Sequence, residues 1–295
     1  MTSCGLCDAK DFKVIYHDFI RDGVFGKVSS SKHKVVKCSG CGLVRLLNNP
    51  LNMAYYQSEE YRNFYNNSSN ISDYIKVHDD EQPPRLAKLG SSFFRDKIVL
   101  DFGCGGGAFL DLTSGIAAKT IGIEPFEGYH QSLKNRNHQI FSNSKQAKKE
   151  YANKIDAIVS FGVLEHVENP QDYLKDAFEL LKKGGKMYIE TDNLDDILMK
   201  LEISSFHSFF YRTAHLWYFD SNTLEALVKK TGFSDIKMSF RHNFDLSNTF
   251  LWLRDNKPTG IKKVALLNKK IESSWLEFVE LSGMADLVCA EMVKN

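Results

Sequence analysis

The clearest regularity along the chain is a change of pattern near Lys97. From there, short apolar runs alternate with stretches whose apolar positions recur at helical spacing. Residues 98–102, 120–123, 139–141, 155–161 and 186–190 read as strands. Residues 108–114, 127–135 and 170–183 read as helices between them, the last stopped by Gly184-Gly185. This alternation predicts an α/β fold with a mostly parallel sheet covered by helices on both faces. Further on, 221–231 reads as a helix stopped at Gly232, 236–240 and 285–293 as strands, and 260–283 as a basic amphipathic helix with its loop.

The chain before residue 97 is patterned differently. Residues 14–16 and 35–36 are strand-like pieces set between cysteine pairs. Residues 50–75 interleave Tyr55, Tyr56, Tyr61, Phe64, Tyr65 and Tyr74 with Asn, Ser and Glu, as a linker or lid would. A helix is expected over 76–95, interrupted early by Pro83-Pro84. The expected division is a cysteine module at 1–48, an aromatic linker and helix at 49–95, and the α/β domain at 96–295 with a cap insert at about 194–219.

Composition narrows the class. An apolar fraction of 43% supports a sizeable core. With 38 basic and 37 acidic residues the net charge is +1, which gives no general footprint for nucleic acid. No apolar run is long enough for a membrane span. The start lacks the charged and apolar regions of a signal peptide, so a cytoplasmic protein is expected.

Cys4-x-x-Cys7 and Cys38-x-x-Cys41 are the first chemical signal. In a reducing compartment two such pairs favour a metal over disulfides. Four thiolates can hold one tetrahedral Zn²⁺, and with every position filled by protein the site is structural. Cys104 and Cys289 read as buried small residues.

The second signal is the turn Asp101-Phe102-Gly103-Cys104-Gly105-Gly106-Gly107, which follows a strand and opens a helix. Glycines there permit a sharp turn and close approach of a ligand. Glu124 ends the next strand, where a carboxylate can accept both hydroxyls of a ribose. Asp101 beside the turn would repel a pyrophosphate but favours an ammonium, which points to S-adenosylmethionine over a dinucleotide.

These residues resemble class I S-adenosylmethionine-dependent methyltransferases. The matching segments are Val99–Gly107, Gly122-Ile-Glu-Pro125, Phe161-Gly-Val-Leu-Glu-His-Val-Glu-Asn-Pro170 and 180–190. The resemblance implies a Rossmann-like sheet of seven strands. It also implies that Gly103 and Gly105 line the methionine and ribose, that Glu124 holds the ribose, and that Pro125 or Phe126 flanks the adenine. Ser160, Phe161 and Gly162 would border the methionine portion. At the acidic position that often follows the third strand, this chain has Ser142 and Asn143. A four-cysteine module, a Tyr-rich linker and this core together resemble bacterial sugar methyltransferases. The resemblance does not extend to the long C-terminal domain of the sugar C-methyltransferases.

Methyl transfer to a hydroxyl requires removal of a proton, and histidines are the obvious candidates. His166 lies where strands of an open α/β sheet present ligands, and His215 lies in the aromatic insert. Tyr61, Arg62, Phe64 and Tyr65 could close over the cofactor. The expected acceptor is a small molecule, a sugar or nucleotide-linked sugar. The competing readings are an rRNA or tRNA methyltransferase, disfavoured by the near-neutral charge, and a binding module that keeps the fold without catalysis.

Overall fold

A computed structural model describes residues 3–23, 26–47, 55, 57–64, 69–258, 260 and 262–295. Its strands are β1 (Phe12–Asp18), β2 (His33–Cys38), β3 (Val44–Leu47), β4 (Ile98–Phe102), β5 (Lys119–Ile123), β6 (Gln139–Phe141), β7 (Ile155–Phe161), β8 (Leu181–Asp192), β9 (Trp217–Tyr218), β10 (Ser234–Arg241) and β11 (Leu287–Val293). Seven of them form one sheet in the order β10-β11-β8-β7-β4-β5-β6. Strands β4 to β8 run parallel to their neighbours, and β11 is antiparallel to both β8 and β10. The result is a Rossmann-like, mostly parallel sheet with helices on its faces.

The central strands are apolar because both faces are covered. Val99, Leu100, Ala157, Ile158 and Val159 are all fully buried. Strand β4 pairs with β5 on one side and β7 on the other. The connections leaving these strands therefore diverge, and a crevice opens at their carboxyl ends.

Several elements differ from expectation for identifiable reasons. The helix from Pro170 ends at Leu180, three residues early, because Leu181 turns extended and pairs with Ile155 in the sheet. Pro83 and Pro84 do not interrupt a helix. They sit in the first turn of Gln82–Leu89, where a missing N–H costs nothing. Within 50–75, the helices Glu59–Phe64 and Ile71–His78 are formed. Tyr56 and Tyr65 lie outside the described residues. The basic stretch 260–283 is helical only over Lys269–Leu281.

A second sheet, in the order β1-β2-β3-β9, is built around the cysteine pairs. Its fourth strand comes from the aromatic insert: Arg45 pairs with Trp217 and Val44 with Tyr218. Trp217 is buried, donates Nε1–H to the Val167 carbonyl at 2.8 Å, and lays its ring edge against Gly5. A Cβ on Gly5 would stand 2.9 Å from that ring. One apolar cluster consequently runs from Cys4, Leu6 and Leu43 through Trp217 and Phe219 into the parallel sheet.

Replacing Trp217 with Ala removes this buried ring and its hydrogen bond. The unfolding free energy measured by urea titration should fall by about 3–5 kcal/mol; a loss below about 1 kcal/mol would show that the ring does not join the two sheets.

Candidate active site

The crevice at the carboxyl ends of the parallel strands is a cleft of about 870 Å³. At one end stands the glycine turn. Gly105 has φ +52°, and a Cβ there would collide with the hydroxyl of Tyr74. Gly107, at φ +83°, caps the helix Ala108–Ser114. The turn thus offers bare backbone under an aromatic roof drawn from the helix Ile71–His78.

Glu124 is buried beneath this turn at the end of β5. It accepts hydrogen bonds from the N–H groups of Gly105 at 2.9 Å and Phe126 at 2.7 Å. Arg62 reaches the same carboxylate at 2.5 Å. The guanidinium also lies 5.5 Å from each of the rings of Tyr61, Phe126 and Tyr129. With two backbone donors and Arg62 the carboxylate is held rigidly, and one of its four lone-pair sites is left for a hydroxyl.

Asp101 is 3% exposed and accepts no hydrogen bond among the described residues. Burial pushes its carboxyl up to about 7, with Arg85 opposing and Glu124 adding to the effect. A buried carboxylate without a partner is costly. The ammonium of a methionine-type ligand would remove that cost, so the residues present fit S-adenosylmethionine. Arg85 adds a cation nearby. Its guanidinium lies 4.4 Å above the Phe161 ring and donates Nε–H to Glu190 at 3.0 Å.

The other end of the cleft is rich in polar groups. His166 donates Nδ1–H to the Ala214 carbonyl at 2.7 Å, and its ring meets His215 edge-on at 4.6 Å. Burial lowers His166 to about 4 and His215 well below its ordinary value, so both imidazoles are neutral near pH 7. Asp192 is partly buried, yet Arg212 at 2.8 Å and His215 at 3.2 Å hold it below the usual carboxylate range. Burial and then Asp192 push Glu165 up to about 8, and Thr191 donates to it at 2.8 Å. Further along, Arg241 pairs with Glu190 through two donors at 3.0 and 2.8 Å.

Asp101, Gly103, Gly105, Glu124, Pro125, Phe161, Gly162, His166 and His215 therefore share one cleft. Ser160 and Phe126 do not line it. The Ser160 hydroxyl pairs with Tyr173 below the sheet's end, and the Phe126 ring packs edge-on against Tyr129. Arg85, Glu190, Asp192 and Arg241 line the cleft without having been singled out from the sequence, and Tyr74 enters it from the aromatic stretch. The order of charged residues at the ends of β8 and β10 was the available signal.

Away from the cleft, the sulfurs of Cys4, Cys7, Cys38 and Cys41 all lie within 4.8 Å of one another. The Cys4–Cys41 and Cys7–Cys38 separations are 3.6 and 3.5 Å. A tetrahedral tetrathiolate with bonds of about 2.3 Å needs sulfurs about 3.8 Å apart, so the group fits one zinc ion.

A doubly wound sheet with glycines between two buried carboxylates defines a domain of the S-adenosylmethionine-dependent methyltransferase class. A methyltransferase domain family matches residues 78–238, more than half of the chain, and the chain belongs to that family. Among curated proteins it is similar to the mitochondrial ubiquinone biosynthesis O-methyltransferase of Homo sapiens, 27% identical over 46% of this chain and 41% of that one. It is also similar to the tRNA U34 carboxymethyltransferase of Actinobacillus succinogenes, 32% identical over 38% of this chain and 36% of that one. The chain thus spans less than half the length of either relative. Among solved structures, a SAM-dependent methyltransferase from Archaeoglobus fulgidus superposes with TM-score 0.51 at 18% identity, over 75% of this chain and 100% of that one. That likeness concerns the fold. Among the described residues no helix is long and apolar enough to cross a membrane.

The state of Asp101 predicts a pH dependence. An ammonium binds the ionised carboxylate, so affinity for S-adenosylmethionine should fall as pH drops through about 7. Between pH 8 and pH 6 the ionised fraction, and with it the affinity, should decrease about tenfold. Isothermal titration at both values checks this; Asp101→Asn should bind weakly at both, with no such slope.

Proposed function

We propose that the protein is an S-adenosylmethionine-dependent methyltransferase whose acceptor is a small polar molecule, a sugar or nucleotide-linked sugar. The observation that carries the reading is the buried Asp101 beside the glycine turn, which accepts no hydrogen bond among the described residues and shares one cleft with Glu124. The cofactor supplies a methyl group on a sulfonium, activated for in-line displacement. Glu124 holds the ribose, Asp101 takes the ammonium, and Gly103, Gly105, Phe161 and Gly162 bound the space between. Pro125 lies at the adenine end.

The acceptor end supports a hydroxyl-rich ligand. Its walls carry Glu165, His166, Asp192, Arg212, His215 and Arg241, which offer donors and acceptors on several sides. A long hydrocarbon tail would offer nothing to the remaining bonding capacity of these groups, at a cost of about 1–3 kcal/mol for each polar atom left unsatisfied. We assign the handling of the acceptor's hydroxyl to the neutral His166 and His215. A net charge of +1 argues against a long contact with an RNA backbone, which requires clustered basic residues. The four cysteines are assigned a structural zinc ion.

The decisive test offers purified protein S-adenosylmethionine together with nucleotide sugars, and separately with unmodified tRNA, and follows product mass. A gain of one methyl on a nucleotide sugar supports the reading. Methylation of tRNA alone replaces it with the RNA reading, and absence of cofactor binding by isothermal titration removes both. Metal analysis should return one zinc per chain, retained through gel filtration. Cys38→Ser should release it and loosen the N-terminal sheet; full zinc content in that variant would refute the assignment.

A further inference from the structure

We propose that Glu165, His166 and His215 form a second metal site, which holds a divalent first-row cation at the acceptor end of the cleft. This deepens the reading above, because the cation's open positions would face the acceptor's hydroxyl oxygens. Each of the three residues offers one ligand atom, and these atoms all lie within 4.8 Å of one another. All three line the cleft.

Three features point to a cation. Glu165 is 3% exposed, and its side chain's only hydrogen-bond partner among the described residues is the neutral Thr191 hydroxyl. Burial makes the ionised form of Glu165 costly unless a positive charge binds there, and among the described residues no cationic side chain donates to it. His215, also 3% exposed, sets its buried Nδ1 3.2 Å from Asp192 Oδ2, so a carboxylate fixes that edge of the ring. Finally, His166 gives its Nδ1–H to the Ala214 carbonyl, which leaves the lone pair on Nε2. Ligating histidines are held in this way, with the second nitrogen fixed by a carbonyl or carboxylate.

The donor set selects the ion. Two imidazoles and one carboxylate suit Zn²⁺, Mn²⁺ or Fe²⁺ better than Mg²⁺ or Ca²⁺, which prefer oxygen. Three protein ligands leave positions open, as in metal sites that bind substrate and unlike the closed four-cysteine group. Vicinal hydroxyls of a sugar would fill two adjacent positions. Asp192 is engaged by Arg212 at 2.8 Å and remains outside the ligand set.

Mn²⁺ discriminates between the two sites because it competes poorly for thiolates. Full-length protein retaining its zinc is titrated with Mn²⁺, and free ion is read by electron paramagnetic resonance. One Mn²⁺ should bind per chain. Glu165→Gln, which keeps the shape, and His215→Ala should each weaken binding at least tenfold. Affinity for S-adenosylmethionine should be unchanged in both variants, which shows that the fold is intact and separates this proposal from the reading it rests on. No loss of free Mn²⁺ signal at millimolar ion, or equal binding in wild type and both variants, would overturn the proposal.

Discussion

Trp217 satisfies two demands at once, and the arrangement of the molecule depends on it. Its backbone pairs with Arg45 and completes the N-terminal sheet. Its N–H, with that of Leu216, also points to the carbonyl of Glu165 at the end of β7. The indole covers Gly5 in the first cysteine pair and bonds to Val167. His215 lies two residues earlier and is therefore fixed from both sides. The cysteine group is remote from the cleft in chemistry, yet it braces the segment that carries one wall of it.

The cleft itself is an economy of buried charge. Its carboxylates are arranged so that some are matched within the chain and others are not. Glu190 is clamped by Arg85 and Arg241, and Asp192 by Arg212. Among the described residues Asp101 and Glu165 have no cationic hydrogen-bond partner. In a low-dielectric site, matched pairs stiffen the walls while unmatched groups attract what they lack. The two carboxylates both line the cleft, one beside the glycine turn and one in the turn after β7.

Much of this was legible in the sequence where local chemistry decides structure. Strands β4, β5 and β7 are covered on both faces, so their residues had to be continuous apolar runs. The glycine turn and the cysteine pairs carry residue types that few other settings require. What remained hidden depends on distant contacts. The helix Ser144–Tyr151 buries only Ala147 and Tyr151, too narrow a stripe to stand out from its lysines. Strand β3 acquires its role from β2 and from β9, the latter some 170 residues away. Tyr74 over Gly105 and Arg85 over Phe161 bring together elements with no shared period. Nothing local in the sequence marks Glu165 for burial; the fold removes it from water. Ser160 illustrates the reverse. It stands at the end of β7 among cleft residues, but the alternation of a strand turns its side chain toward Tyr173.

Strand β11 separates β8 from β10. Leu287 to Val293 pair with Asp192 to Lys186 on one side, and six of them with residues of β10 on the other. On a ribosome, β10 emerges before the strand that must lie between it and the sheet. The exposed flank of β8 therefore waits, unpaired and apolar, until residue 293 is made. The order of synthesis leaves the flank of β8 an open sheet edge until β11 docks, and an open edge can pair with a neighbouring chain.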